Sequence, residues 1–159
     1  MSVERHFTAT AFVVHENHIA LHWHPKVKAW LPPGGHIDAN EDPVQAVLRE
    51  TEEETGLKTA VVSTGLSLDL PYPVHVQPPL TILIEDIDDP DRGYHQHIDM
   101  IYVTQPIGIP GKLKDGWFWI GKETLSARTE ICASIGNKQV PPDDVRILSQ
   151  HAFEIVAQT

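Results

Sequence analysis

The chain has 159 residues, which fits one domain with a substantial core, because two domains would each be too small. A formal net charge of −10 argues against tight nonspecific binding to nucleic acid or to an anionic membrane surface. A single cysteine, Cys132, excludes an internal disulfide, and no stretch is long enough to span a bilayer. We therefore predict one cytoplasmic domain over residues 1–159 without a membrane partner.

Two strands are predicted at the start of the chain. Phe7–His15 leads into a turn, and Ile19–His24 follows as the second strand of a hairpin. His22 and His24 share one face of that strand, a spacing that suits a transition metal, although a polar face beside a cleft is the simpler interpretation. Residues 25–31 are predicted to form a loop before a Pro-Gly turn.

A helix is predicted from residue 43 to residue 55. Asp42 has the character of an N-cap, Pro43 suits the first helical position, and Gln45 completes a capping box with Asp42. Gly56 supplies the left-handed residue that ends many helices.

This predicted helix has two chemically different sides. Five residues project towards the expected core: Val44, Val47, Leu48, Thr51 and Thr55. Glu50, Glu53 and Glu54 lie together on the other side, where the small Ala46 leaves room one turn earlier and Arg49 can pair with Glu53. Like charges at this spacing destabilise a helix, so a bound divalent cation would explain them. The alternative is a solvated acidic face.

The residues around the helix favour the cation. Counted from Gly35, five residues precede Glu41 and seven more precede a run from Arg49 to Leu57. This pattern resembles the Nudix box, G-x5-E-x7-R-E-U-x-E-E-x-G-U, where U is a bulky aliphatic residue. The one departure is Thr51, which stands at an aliphatic position on the core side, so it bears on packing rather than on metal binding.

The resemblance implies a fold, a reaction and a cofactor. The expected fold is α/β, with a mixed β-sheet in an α/β/α sandwich. The expected reaction is metal-dependent hydrolysis of a nucleoside diphosphate linked to another moiety, with Mg²⁺ or Mn²⁺ as cofactor. The implied metal ligands are Gly35, Glu50, Glu53 and Glu54, and the implied catalytic residues are Glu53, Glu50 and Arg49. Glu53 or Glu50 would take the proton from water, and Arg49 would orient Glu53.

The resemblance also places the substrate. In the family, the segment before the box lines the substrate cleft, so Lys26 and Lys28 are candidates for holding phosphate and Trp30 for stacking on a base. A proline-rich loop over residues 69–79 is long for a compact domain, and it offers Tyr72 and His75 as further candidates.

The later half of the chain supplies the remaining elements. Strands are predicted at 35–38, 58–65, 80–87, 97–104 and 116–120, and helices at 122–125 and from about 141 to 156. The last helix carries an apolar stripe that should cover the sheet. The acidic run from Asp86 to Asp91 is predicted to be a solvated turn. Relatives in the family often supply an extra acid from this half, and Glu85, Asp99 and Glu123 are the candidates.

Several alternatives remain at this point. The substrate is expected to be a small nucleotide: an NTP, a damaged dNTP or a nucleotide sugar. Hydrolysis of RNA 5′ ends is a second hypothesis, which the negative charge and the absence of a basic stripe disfavour. A third is a catalytically idle module that senses a ligand, although such modules usually lack the glutamates of the box. A homodimer is possible in this family.

Overall fold

The computed structural model describes residues 3–133 and 137–159 of the chain. Within these ranges there are ten strands and three helices. The strands are β1 (Arg5–His15), β2 (His18–His24), β3 (Ala29–Leu31), β4 (Gly34–His36), β5 (Thr59–Val61), β6 (Thr81–Asp89), β7 (Gly93–Pro106), β8 (Trp117–Gly121), β9 (Ile131–Ala133) and β10 (Asn137–Gln139). The helices are α1 (Pro43–Thr55), α2 (Lys122–Ser126) and α3 (Asp143–Val156).

Eight of these strands form one mixed sheet around β1 and β7. These two strands run parallel, whereas β2, β4, β5, β6 and β8 join the sheet in antiparallel pairs. β1 changes partner along its length, because it pairs with β4 at Thr8–Thr10 and with β2 at Val14 and His15. β4 is thereby brought to the middle of the sheet, beside α1.

Helices cover both faces of the sheet, because alternate residues of β1 point to opposite sides. Ala9, Ala11 and Val13 pack with Ala46 and Val47 of α1. Phe12 and Val14 belong to the second core cluster, which includes three residues of α3: Val145, Ala152 and Phe153. The predicted α/β fold with a mixed sheet between helices is therefore confirmed.

Both ends of α1 are set by the predicted local contacts. The side chain of Asp42 accepts hydrogen bonds from the backbone N–H groups of Val44 and Gln45, and the side chain of Gln45 accepts one from the backbone of Asp42. Gly56 ends the helix with φ at 80°. These contacts satisfy backbone groups that a helix end leaves without intrahelical partners.

Thr51 is fully buried at the position where the Nudix pattern has an aliphatic residue. Its hydroxyl donates a hydrogen bond of 2.7 Å to the carbonyl of Val47. A buried hydroxyl is costly without a partner, and this bond within the helix removes most of the cost. The departure from the pattern is thus accommodated in the core, as its position on the helix predicted.

Some local predictions need correction. Ala46, expected on the glutamate side of α1, is fully buried against the sheet, because that side of the helix meets the small residues of β1. Residues 25–31 are not all loop, since their end forms β3 against β2. β5 ends at Val61 rather than at residue 65, and the antiparallel pair of β9 and β10 carried no clear sequence signal. β6 continues through most of the predicted acidic turn, to Asp89.

No helix among the described residues is long and apolar enough to cross a membrane.

Candidate functional site

The candidate site forms where α1 approaches β4. The carboxylate of Glu50 lies against the backbone of Gly35. A Cβ built on Gly35 would be 2.5 Å from the carboxyl carbon of Glu50. The backbone N–H of Gly34 donates a 3.0 Å hydrogen bond to Glu54 Oε2. A larger residue at position 35 would prevent this approach of Glu50, whereas a Cβ at position 34 would meet Ala9 and Thr10 of β1.

Arg49 donates hydrogen bonds to three glutamates. Its Nε and one terminal nitrogen bind both carboxylate oxygens of Glu41, at 2.7 and 2.9 Å. Its other terminal nitrogen donates to Glu50 at 2.8 Å and to Glu53 at 3.3 Å. The predicted pairing with Glu53 exists, but Glu41 and Glu50 are the closer and less exposed partners. Such a two-pronged contact fixes a carboxylate more firmly than a point charge does.

Glu54 is the acid of this group that faces the cleft described next. Burial, together with the negative charges of Glu50 and Glu53, raises the pKa of Glu54 to about 7, against the opposing hydrogen bond from Gly34. A carboxyl group held at such a pKa gains strongly from a nearby cation, because the cation removes the repulsion. Glu53 is more exposed and lies on the outer side of α1, beside Lys114.

A cleft of about 830 Å³ opens in front of Glu54. Gly34, Gly35 and Glu54 line one part of the cleft, and residues of β6 and of the first turns of α3 line another part. The floor is the face of β1 and β7 that carries Thr8 and Asp99. This volume falls in the usual range of small-molecule sites, about 300–1,000 Å³.

Two of the three additional acids lie in this cleft. Glu85 and Asp99 line it, whereas Glu123 is exposed in the first turn of α2 and does not, because α2 follows β8 on another part of the sheet. Burial and the neighbouring Asp99 and Asp144 raise the pKa of Glu85 to about 7. Asp99 is 3% exposed and accepts a 2.9 Å hydrogen bond from Thr8. Burial also raises the pKa of Asp99.

Asp144 is a cleft residue that the sequence analysis missed. It lies in the first turn of α3 and was visible only as one of the acids that commonly begin a helix. Nothing local in the sequence indicates that this turn faces β6, so its proximity to Glu85 required the structure.

The predicted substrate residues separate into three groups. Lys26 and Lys28 line the cleft and are exposed, and Lys26 is 3.6 Å from Asp91 in an exposed ion pair. Tyr72 is 85% exposed on its loop and is not among the residues that line the cleft. Trp30 is fully buried between Trp23 and Phe118. The prediction that Trp30 stacks on a base is wrong, because β3 pairs with β2 and turns the indole into the core.

His22 and His24 both line the cleft. The ring of His22 stacks on Trp117 with 4.3 Å between the centroids. Burial, with the nearby His24, lowers the pKa of His22 to about 4. This arrangement fits the predicted polar face beside a cleft.

Comparison with known proteins gives a consistent result. The profile of the NUDIX domain family matches residues 4–114. The asymmetrical bis(5′-nucleosyl)-tetraphosphatase of Rattus norvegicus is 35% identical over 74 residues, which are 43% of this chain and 50% of that protein. The chain thus spans about half the length of this relative.

Solved structures resemble the whole chain. A crystal structure of a NUDIX-family hydrolase from Clostridium perfringens has a TM-score of 0.71 and 25% identity, and the match covers 97% of this chain and 99% of that one. A binary complex of a C. elegans Ap4A hydrolase has a TM-score of 0.61 over the same shares of the two chains. At 15% identity, the second likeness concerns the fold alone.

Proposed function

Because this chain belongs to the NUDIX domain family, we propose that it is a metal-dependent pyrophosphohydrolase of small nucleotides. Water would attack phosphorus in a diphosphate that links a nucleoside to another moiety, as in an NTP, a damaged dNTP or a nucleotide sugar. The observation that carries this proposal is the close approach of Glu50 and Glu54 to the glycines of β4, at the edge of a cleft of nucleotide size.

The residues present suit Mg²⁺ or Mn²⁺. Hard cations prefer oxygen ligands, and Glu50, Glu53 and Glu54 with the carbonyl of Gly35 would supply them. Because Gly35 has no Cβ, the carboxylate of Glu50 lies directly beside the backbone of β4. When bound, such an ion would supply positive charge to the diphosphate oxygens and make a water molecule more acidic.

The protein itself would position the reacting groups. Arg49 would orient Glu50 through its hydrogen bond to that carboxylate, while its fork to Glu41 fixes the guanidinium. We propose Glu50 or Glu53 as the acceptor of the proton from water. Of the additional acids, Glu85 is the better candidate for a group that faces the substrate, because Asp99 is nearly inaccessible and already bonded to Thr8.

Other residues of the cleft lining would hold the rest of the nucleotide. Lys26 and Lys28 line the cleft, and we propose that they contact phosphate. Leu83 of β6 and Leu148 of α3 supply an apolar part of the cleft lining, which would suit the flat face of a base. Tyr72 remains a proposed substrate residue only if its loop contacts bound nucleotide, since it lies outside the cleft lining.

The proposal is tested with a panel of nucleotides in Mg²⁺ and then in Mn²⁺. The panel contains NTPs, oxidised dGTP, ADP-ribose, dinucleoside polyphosphates and triphosphorylated RNA, and products are identified as phosphate, pyrophosphate or nucleoside monophosphate. We expect hydrolysis of one class of small nucleotide, abolished by chelation of the metal.

Isosteric variants connect the activity to the site. Glu53→Gln and Glu54→Gln should lower turnover by orders of magnitude while far-UV circular dichroism stays unchanged. Glu52→Gln is the matched control, because Glu52 lies on the same helix but is exposed and points away from the cleft. Full activity of either site variant would remove that residue from the metal site.

The same panel decides between the alternatives. Preference for triphosphorylated RNA would establish the RNA 5′-end function in place of the proposed one. Tight binding of one ligand without hydrolysis of any would establish the sensing module. The predicted homodimer and the cytoplasmic location stay predictions, and size-exclusion chromatography with light scattering tests the first of them.

A further inference from the structure

Four histidines from three strands meet on the cleft-facing side of the sheet, and we call them the imidazole cluster: His6, His36, His95 and His97. The parallel register of β1 and β7 pairs His6 with His97. In the pairing of β1 with β4, His36 lies opposite Thr8, the second residue after His6 on β1. The ring of His6 lies 5.0 Å from that of His95, and the ring of His97 lies 5.0 Å from that of His36. On β7, the ring centroids of His95 and His97 are 5.1 Å apart.

Hydrogen bonds orient the rings of this cluster. Nδ1 of His95 is 2.9 Å from the carbonyl oxygen of Gly93, so this nitrogen is the donor and the lone pair of the neutral ring is on Nε2. Nε2 of His6 is 3.0 Å from a carboxylate oxygen of Glu4, which places the lone pair of the neutral ring on Nδ1. A carbonyl or carboxylate partner on the distal nitrogen is the usual way in which proteins orient a metal-binding imidazole.

His97 supplies an independent observation. Its Nε2 is buried, and no hydrogen-bond partner for it exists among the described residues. A buried polar atom without a partner is unusual and calls for an unseen ligand or a cost in stability. Burial and the neighbouring imidazoles lower the pKa of His97 to about 4, so its ring is neutral near pH 7 and keeps a lone pair for coordination.

We propose that His6, His95 and His97 bind a transition-metal ion, with Zn²⁺ as the expected species, at a second site separate from the glutamates of α1. The ligating atoms of these three side chains lie within 4.8 Å of one another. Zn²⁺ with nitrogen ligands at about 2.0–2.1 Å needs a tighter arrangement, which the stacked rings would reach by rotating when the ion binds.

His36 borders the proposed site and lies outside the group of three converging side chains. Its Nε2 is 3.1 Å from Nδ1 of His6, the nitrogen that we assign to the metal. Without metal, a hydrogen bond between these two nitrogens satisfies both; with metal, His36 would either coordinate or leave the position to water. Imidazole donors suit Zn²⁺, Ni²⁺, Co²⁺ or Cu²⁺ and are poor ligands for Mg²⁺, so the two sites differ in ion class.

Binding would join β1 and β7 at one point, beside β4. β1 and β7 contribute the ligands through residues far apart in sequence, and β4 contributes His36 next to Gly35. The alternative is that the rings only stack on one another to cover this end of the sheet. That alternative predicts no stoichiometric binding of metal, so it is open to a direct test.

The test is calorimetric titration of the metal-stripped full chain with Zn²⁺ in saturating Mg²⁺, which occupies oxygen ligands but not imidazoles. We expect one Zn²⁺ per chain. In the variants His6→Gln and His97→Gln, the affinity for Zn²⁺ should fall strongly. The decrease should exceed the roughly 10–100-fold that follows the loss of a residue that only hydrogen-bonds to a metal ligand. His151→Gln, on exposed α3 surface, and His22→Gln, in the other histidine pair, are controls that should bind as the unmodified chain does.

Two calorimetric results would overturn the proposal: no stoichiometric binding by the unmodified chain, or binding that both cluster variants retain. Circular dichroism establishes that the variants are folded. If they are not, ¹⁵N NMR of the unmodified chain decides the matter, because Zn²⁺ must shift the ring nitrogens of His6, His95 and His97. Shifts confined to other histidines would place the ion elsewhere and reject the site.

Discussion

The carboxylate of Glu50 occupies the space that a side chain at Gly35 would need. A Cβ on Gly35 would lie 2.5 Å from both the carboxyl carbon and one oxygen of Glu50. Real Cβ atoms do not approach other atoms so closely, and Glu50 cannot withdraw freely because Arg49 holds it at 2.8 Å. The position of this acid therefore depends on the absence of a side chain on β4.

Gly35→Ala should displace Glu50 and impair the site while leaving the fold intact. We expect turnover to fall by roughly 100-fold, the size of effect that a displacement of about 1 Å produces in a catalytic arrangement. Gly111→Ala is the matched control, because a Cβ there meets nothing within 4 Å. Turnover is measured with the best nucleotide of the panel across a range of Mg²⁺ concentrations. Equal activities of the two variants would show that the Glu50–Gly35 contact is dispensable.

Arg49→Lys should lower turnover although it preserves the charge. Lysine cannot reproduce the two bonds to Glu41 together with the bond to Glu50, so the acids lose their common anchor. We expect a decrease of about tenfold or more, with a higher Mg²⁺ requirement. The measurement is a double-mutant cycle with Glu41→Gln. Additive effects of the two substitutions would contradict the view that Arg49 and Glu41 act as one unit.

Thr51→Val should restore the aliphatic pattern of the Nudix box without harm. The two side chains have nearly the same shape, and the hydroxyl that is lost bonds only within its own helix. We expect the free energy of unfolding to change by less than about 1 kcal/mol and activity to remain unchanged. Thr51→Ala, which leaves a small cavity, should be the less stable of the two. Chemical denaturation measures both, and a loss of activity in Thr51→Val would reveal a role beyond packing.

Glu85 should make the metal-free protein less stable as the pH rises. Its pKa is about 7 in the folded state, above the value of roughly 4.3 for an unfolded chain. The folded state thus holds this proton more tightly, so the associated stability is present at low pH and is lost as the pH rises through about 7. Glu85→Gln mimics the protonated form. It should remove the contribution of Glu85 to the decrease in the free energy of unfolding, which is on the order of 2 kcal/mol.

Urea denaturation in EDTA at several pH values between about 4.5 and 7.5 measures the effect of Glu85. Asp88→Asn, an exposed position on the same strand, is the control and should keep the slope of the unmodified protein. Identical slopes for Glu85→Gln and the unmodified chain would show that burial does not hold a proton on Glu85.

The helix that carries the acids was predictable from local sequence. Its ends depend on contacts between neighbours, from the Asp42 side chain at the start to Gly56 at the end. The relative positions of Glu50 and Glu54 on one side follow from the period of an α-helix. Ala46 was misplaced, because which side of a helix becomes buried also depends on the small residues of the strand beneath it.

The rest of the site depends on pairings between distant segments. Thr8 and Asp99 are hydrogen-bonded across 91 positions of sequence, and only the register of β1 and β7 brings them together. The same register creates the imidazole cluster from histidines that look unremarkable one by one. Trp30 was wrongly expected in the cleft because its orientation is fixed by its pairing with Trp23 on β2.

The lining of the cleft comes from different stretches of the chain. Gly34, Gly35 and the glutamates of α1 belong to one continuous segment of β4 and α1, whereas Leu83 and Leu148 belong to β6 and α3. Substitutions at Leu83 or Leu148 would change the surface available to the base and leave the glutamates of α1 untouched. Such a division allows selectivity to drift during evolution while the reaction itself is conserved, and it marks β6 and α3 as the place to engineer a new preference.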